Sequence, residues 1–172
     1  MDNVLVIVRG IPGSGKSTFS NKLLNILENS VHYETDQYFV VDGQYVFDRK
    51  KLGQNHEMCF NDAMMALMGG KTVIVSNTFT TMNEMNRYIR LAEWYSSGLI
   101  VVNMNYNFKS VHDVPSKTLE SMKKRYVEPV YVCEELSTIK DFMWLNVEIM
   151  DDKSYEESIH DIINFMGKLN EY

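Results

Sequence analysis

The order of three segments near the amino terminus constrains the fold of this chain more than any other feature. Val4-Leu5-Val6-Ile7-Val8 is a continuous apolar run, Gly10 to Ser17 read Gly-Ile-Pro-Gly-Ser-Gly-Lys-Ser, and a helix-like stretch follows from Ser17 to Glu28. A buried strand that delivers a glycine-rich turn to a helix N-terminus aims successive backbone N–H groups at one small volume, where a phosphate is favoured. Gly13 and Gly15 permit backbone conformations that a side chain obstructs. The motif gathers Gly13, Ser14, Gly15, Lys16, Ser17 and Thr18 around the phosphates. Lys16 is placed to reach the β- and γ-phosphates, and the Ser17 hydroxyl to ligate Mg²⁺. The expected ligands are a nucleoside triphosphate, ATP, and its Mg²⁺.

Downstream, apolar runs alternate with helical periodicity. Phe19, Leu23, Ile26 and Leu27 recur at helical spacing. Val31 to Thr35 reads as a short strand, and Asp42-Gly43 predicts a turn within a small hairpin between Tyr38 and Phe47. A second helix is expected from about Gln54 to Met68, closed by Gly69-Gly70. Lys71 to Ser76 and Leu99 to Met104 read as buried strands. Between them a helix begins at Thr81 or Asn83 and ends at Gly98. Pro115 suits the start of a helix reaching about Tyr126. Trp144 to Met150 reads as the last strand, and Ser154 as the cap of a final amphipathic helix. This alternation predicts an α/β fold with a parallel sheet and helices on both faces. Ligands of such sheets sit beyond the carboxyl ends of the strands, so the loops after Val8, Thr35, Ser76 and Met104 matter most.

Length and charge narrow the partners. The 172 residues suit a single domain spanning residues 1 to 172, with a lid segment at about 105 to 127. The first apolar run is too short for a signal peptide or a membrane span, so no membrane partner is expected. Two cysteines, Cys59 and Cys133, lack metal-ligand or disulfide-framework spacing. A reducing cytoplasm fits, that of a host if the chain is phage-encoded, an origin with which the excess of Met, Asn and Tyr is associated. A net charge of −6 opposes a surface that grips nucleic acid everywhere. Between Asn105 and Val127, however, Lys109, Lys117, Lys123, Lys124 and Arg125 face only Asp113 and Glu120, a local excess of about +3.

Asp36 is the second informative residue. It lies 20 residues after Lys16, just past a strand. A carboxylate there can accept a proton from an attacking hydroxyl, hold a water of the Mg²⁺ shell, or simply start a turn. The ordered set Gly-x-Pro-Gly-Ser-Gly-Lys-Ser, Thr35-Asp36-x-Tyr38-Phe39, Leu52-x-x-x-His56-x-x-Cys59 and Val73-Ile74-Val75-Ser76-Asn77-Thr78 resembles the polynucleotide-kinase-like branch of P-loop kinases. Phage 5′-hydroxyl polynucleotide kinases belong to that branch. The likeness continues through Glu84-Met85-x-x-Tyr88, His112-x-Val114-Pro115 and Met122-x-x-Arg125-Tyr126-x-Glu128. The resemblance implies a five-stranded parallel sheet with a short lid and Asp36 as general base. It also implies Arg125, on the lid helix, as the cation that stabilises the transferring phosphoryl group. Lys109 and His112, in the lid loop, become candidates for contact with substrate phosphate.

Three positions depart from that pattern. Ser76-Asn77 stands where these kinases usually carry an aspartate, which places Mg²⁺ support on Ser17 and Asp36. The arginine typical of the lid loop before His112 is either replaced by Lys109 or missing, and a point charge cannot reproduce a planar bidentate grip. Tyr38-Phe39-Val40 holds no basic residue where phage end-kinases use one on the nucleic-acid phosphate. The expected function is transfer of the γ-phosphate of ATP to a polynucleotide or nucleotide hydroxyl, at a 5′ end or on a hydroxymethylated base in DNA. Alternatives are a small-metabolite kinase, and a nucleotide-binding regulatory module with little turnover.

Overall fold

The computed structural model describes residues 3–96, 98–105, 114–139 and 142–169. Five strands form one sheet: β1 (Val4–Arg9), β2 (Ser30–Tyr33), β5 (Thr72–Asn77), β6 (Gly98–Met104) and β7 (Met143–Ile149). Their order is β2-β5-β1-β6-β7 and every pairing is parallel. Each parallel step needs a crossover, and helices supply it. These are α1 (Lys16–Ile26), α2 (Leu52–Met68), α3 (Met82–Tyr95), and α4 (Ser116–Arg125) with α5 (Pro129–Leu136), while α6 (Asp152–Leu169) follows the last strand.

The apolar runs are continuous because the central strands are covered on both faces. Leu5 and Ile7 of β1 point into one core with Val73, Val75, Leu99 and Val101, against Ala63 and Leu67 of α2, Met85 and Ala92 of α3, and Val132 of α5. The alternate residues Val4, Val6 and Val8 join Ile74, Ile100 and Val102 in the other core, against Phe19 and Leu23 of α1 and Ile162 and Phe165 of α6. The expected five-stranded parallel sheet with helices on both faces is the observed architecture. β1 lies at its centre, so the glycine-rich loop leaves the middle of the sheet at the carboxyl end.

Several boundaries differ from the sequence reading. β2 stops at Tyr33, and Thr35–Phe39 winds into a 3₁₀ turn that carries Asp36. The hairpin has shrunk to two-residue strands, β3 (Val40–Val41) and β4 (Gln44–Tyr45). Asp42 and Gly43 between them have φ of 50° and 79°, the two positive values that suit a tight hairpin turn. α5 escaped the sequence reading, although Glu128-Pro129 places proline at its first turn.

Gly98 does not end α3, whose C-cap is Ser96; it opens β6. A Cβ at Gly98 would lie 3.0 Å from Leu169 and 3.2 Å from Phe165, so the glycine lets α6 pack closely. Ser154 is not the cap of α6 either. The Asp151 carboxylate accepts from the Ser154 N–H at 2.8 Å, and the Ser154 hydroxyl accepts in return from the Asp151 N–H at 2.9 Å.

Candidate phosphate and Mg²⁺ site

The loop between β1 and α1 is shaped by its glycines. Gly13 and Gly15 have φ of 84° and 86°, values that a side chain rarely tolerates, and Gly15 caps α1 in the left-handed region. A Cβ on Gly10 would meet Ser14 Oγ at 2.4 Å and the Met104 carbonyl at 2.6 Å. Gly10 N–H donates to the Thr78 carbonyl at 3.2 Å, which ties the loop to the end of β5. The Ser14 hydroxyl is buried without a hydrogen-bond partner. Ser17 and Thr18 stand exposed in the first turn of α1, where helical N–H groups have no partner within the helix.

The Lys16 amine donates to the Ile11 carbonyl at 3.1 Å. Burial pushes its pKa down to about 8, against the opposing pull of Asp36 and Glu34. A desolvated cation with left-handed glycines and a spare hydroxyl fits a polyanion, because phosphate oxygens would repay the lost hydration. The Ser17 hydroxyl donates to Glu34 Oε2 at 2.8 Å, and the Ser76 hydroxyl donates to the same oxygen at 3.1 Å. A hydroxyl beside a carboxylate is a donor set that suits Mg²⁺, which takes one or two protein ligands and completes its shell with nucleotide and water. Among the described residues no group of three His, Cys, Asp or Glu could hold a metal independently.

Asp36 is exposed on the 3₁₀ turn, close enough to raise the proton affinity of Lys16. The Tyr45 hydroxyl of the hairpin donates to it at 3.4 Å. Neighbours hold the turn in place. Thr35 N–H donates to Asn77 Oδ1 at 2.9 Å, and Thr35 Oγ1 meets His56 Nδ1 at 2.9 Å. His56 therefore braces the turn that presents Asp36, and Asn77 has a structural task at the end of β5.

Arg125 lies on the opposite flank, at the end of α4, with its Nε donating to Thr80 Oγ1 at 2.8 Å. Thr80 belongs to the loop after β5 that also receives Gly10, so Arg125 and the glycine-rich loop share a support. Lys109 and His112 lie outside the described residues. Arg87 grips Glu57 with two bonds of 2.6 and 2.9 Å and stacks over Phe60, and Arg90 bonds Glu93. Both stay with neighbours on their own side of the sheet.

Two residues had no part in the sequence reading. Glu34 is the first. The second is Arg9, fully buried at the end of β1. Its guanidinium donates to the Phe79 carbonyl at 3.1 Å, Asn103 Oδ1 at 3.0 Å and the Val127 carbonyl at 2.8 Å, and it stacks on Tyr126. An arginine following a five-residue apolar run is the signal that could have found it, since a strand end on the binding side is where a buried cation has a use.

Residues 5–106 match the family described as AAA domain, a stretch that contains the whole strand–loop–helix unit and the Glu34-Asp36 turn. The chain belongs to this family. Over 91 residues it is 41% identical to human NEDD4-binding protein 2, which covers 52% of the chain but only 5% of that relative's length. A structure described as a putative kinase from Chloroflexus aurantiacus superposes with a TM-score of 0.65 at 18% identity, over 96% of this chain and 99% of that one. A gluconokinase from Sinorhizobium meliloti gives 0.58 at 14% identity, over 96% and 93%. A chain of the Pnkp1/Rnl/Hen1 RNA repair complex gives 0.51 at 18% identity, over 97% of this chain and 46% of its own length. The fold is that of a P-loop kinase, shared among proteins with different acceptors.

Proposed function

We propose that this domain is an ATP-dependent kinase that moves the γ-phosphate to a hydroxyl of a polynucleotide or nucleotide. One observation carries the reading: a desolvated Lys16 in the phosphate loop faces an exposed Asp36 on a braced turn at a neighbouring strand end. That separates a phosphate-binding cation from a carboxylate open to an incoming acceptor. In this mechanism the acceptor oxygen attacks the γ-phosphorus, the bond to the β-phosphate oxygen breaks, and ADP leaves. The acceptor proton passes to an Asp36 carboxylate oxygen. Lys16 offsets charge on the phosphates, and Arg125 reaches the transferring group when it leaves Thr80. Ser17 would help to hold Mg²⁺, which when bound would supply charge neutralisation on the phosphates.

The polymer acceptor is supported by the resemblance to polynucleotide kinases and by the exposed Lys123-Lys124-Arg125 turn of α4. The exposed rings of Tyr45 and Phe47, on the hairpin that touches Asp36, are suited to stacking a base. Lys109 and His112 complete the proposed phosphate contacts from the lid segment. A small-metabolite kinase is the second reading, favoured by the lack of any cation in Tyr38-Phe39-Val40 beside Asp36.

The test offers γ-labelled ATP and Mg²⁺ with 5′-hydroxyl DNA, 5′-hydroxyl RNA, hydroxymethylated-base DNA and nucleosides. Asp36→Asn is expected to lower transfer by about 10²- to 10⁴-fold while ATP affinity stays within about threefold. Transfer at an undiminished rate would remove Asp36 from the base role. Acceptor binding that weakens steeply with salt marks a nucleic acid, and salt-insensitive binding a metabolite.

A further inference from the structure

P-loop enzymes hold the Mg²⁺ of their nucleotide with the loop serine or threonine and a carboxylate at a neighbouring strand end. In this chain β5, the neighbour of β1, ends in Ser76-Asn77 and brings no charge. We propose that Glu34, from the outer strand, is the carboxylate that supports the nucleotide-bound Mg²⁺, reaching the Ser17 hydroxyl across Ser76. The inference rests on the kinase reading and adds to it the residue that replaces the missing acid.

Register explains the reach. Tyr33 pairs with Val75, and Val8 of β1 pairs with Ser76, so Glu34 follows β2 at the level where Ser76 stands between it and the phosphate loop. Two strand spacings are about 10 Å. A glutamate covers only part of that distance and Ser17, at the start of α1, covers the rest; the two meet because the intervening side chain is small, and serine is small enough and also bonds the carboxylate. Glu34 Oε2 accepts hydrogen bonds from the hydroxyls of both Ser17 and Ser76. Since Ser76 has a single proton and gives it to Glu34, His32 Nε2, 2.7 Å from Ser76 Oγ, acts as the donor there. That chain of bonds fixes the carboxylate with its proton-accepting side toward Ser17 and leaves the Ser17 lone pairs free for a cation.

Other acids are engaged elsewhere. Glu84 closes the cap of α3 and Glu148 bonds Asn105, while Asp36, exposed on its turn, is the base in the proposed mechanism. Among the described residues Glu34 is the acid bonded to a side chain of the phosphate loop.

The experiment measures metal, not turnover. Mn²⁺ is titrated by electron paramagnetic resonance into the full chain saturated with ADP, and ADP affinity is measured separately in EDTA by calorimetry. Glu34→Gln should weaken Mn²⁺ binding to the ADP complex about tenfold, the size of a lost supporting carboxylate. Its metal-free ADP affinity should stay within about twofold of the unsubstituted chain. The exchange Glu34→Ser with Ser76→Asp, which keeps one acid in the site, should recover most of the affinity and serves as the second variant if Glu34→Gln does not fold. Unchanged Mn²⁺ affinity in Glu34→Gln, or equal losses with and without metal, overturns the role of Glu34 and leaves the kinase reading intact. Failure of the unsubstituted chain to bind ADP at all overturns both.

Discussion

α3 comes after β5 and α4 after β6 along the chain, yet the two helices are attached by different physics. α3 buries Met85, Tyr88, Ile89, Leu91 and Ala92, and α4 buries none of its residues. Thr81 and Glu84 close a reciprocal capping box at the start of α3, whereas Pro115 before α4 offers no side-chain cap. What fixes α4 is polar. Arg125 bonds Thr80, Val127 N–H donates to the Thr80 carbonyl at 2.9 Å, and buried Arg9 holds the Val127 carbonyl. Hydrophobic burial acts over a whole face, but a few hydrogen bonds anchor one end. α3 is therefore part of the scaffold, and α4 is held chiefly by polar bonds at its C-terminal end, beside the phosphate loop.

The sharpest way to break this contrast is to cut a leucine from each helix. Leu91 is 2% exposed in the core between α3 and the sheet. Leu91→Ala should cost about 2–5 kcal/mol in urea unfolding, the usual loss for a buried leucine. Leu119→Ala removes the same atoms from the half-buried face of α4 and should cost less than about 1 kcal/mol. Equal losses would mean that α4 is packed as firmly as α3, and the contrast between the two helices would fail.

Activity should invert the ranking. Arg125→Ala is expected to lower the rate of phosphoryl transfer by about 10²- to 10³-fold, with ATP affinity little changed, because in the proposed mechanism this cation meets the transferring group only in the transition state. Arg125→Lys should recover only a small part, since an ammonium lacks the planar fork. Thr80→Val separates chemistry from anchoring: it removes the Arg125 bond at the loop and leaves the guanidinium. Should Thr80→Val match the loss in Arg125→Ala, Arg125 serves as an anchor for α4.

How far such features can be read from sequence depends on how local their causes are. The β1–loop–α1 unit was legible because strand, glycines and helix are consecutive, and the five sheet strands because their apolar runs reflect burial on two faces. Asp36 was legible by its place after β2. Glu34 was not: its meaning depends on β2 lying beside β5 in the sheet, and on Ser76 being the residue between it and Ser17. The paired signal was a supernumerary acid at one strand end and a missing acid at another, which only the strand order joins. Arg9 was hidden for the same reason, since its three acceptors come from residues 79, 103 and 127. α5 is short, with Val132 and Leu136 as its only fully buried residues, and so carries little periodic signal.

The smallest expected effect tests how the two helices begin. Thr81 Oγ1 accepts from Glu84 N–H at 3.4 Å, while the Glu84 carboxylate accepts from the N–H groups of Thr80 at 2.6 Å and Thr81 at 3.4 Å. Thr81→Ala leaves one helical N–H without its side-chain partner and should cost about 1 kcal/mol, read as a lower urea midpoint with an unchanged slope. Ser116→Ala, at the exposed first turn of α4, should move the midpoint by less than about half of that, because no capping bond is lost there. The Glu84 carboxylate also accepts from the Thr80 hydroxyl that Arg125 uses. The capping box of α3 thus shares Thr80 with the anchor of α4, and Thr81→Ala should loosen α4 as well. Amide hydrogen exchange at Val127, whose N–H bonds the Thr80 carbonyl, should rise in Thr81→Ala and stay unchanged in Ser116→Ala. Exchange that rises in neither variant would show that the two helices are anchored independently.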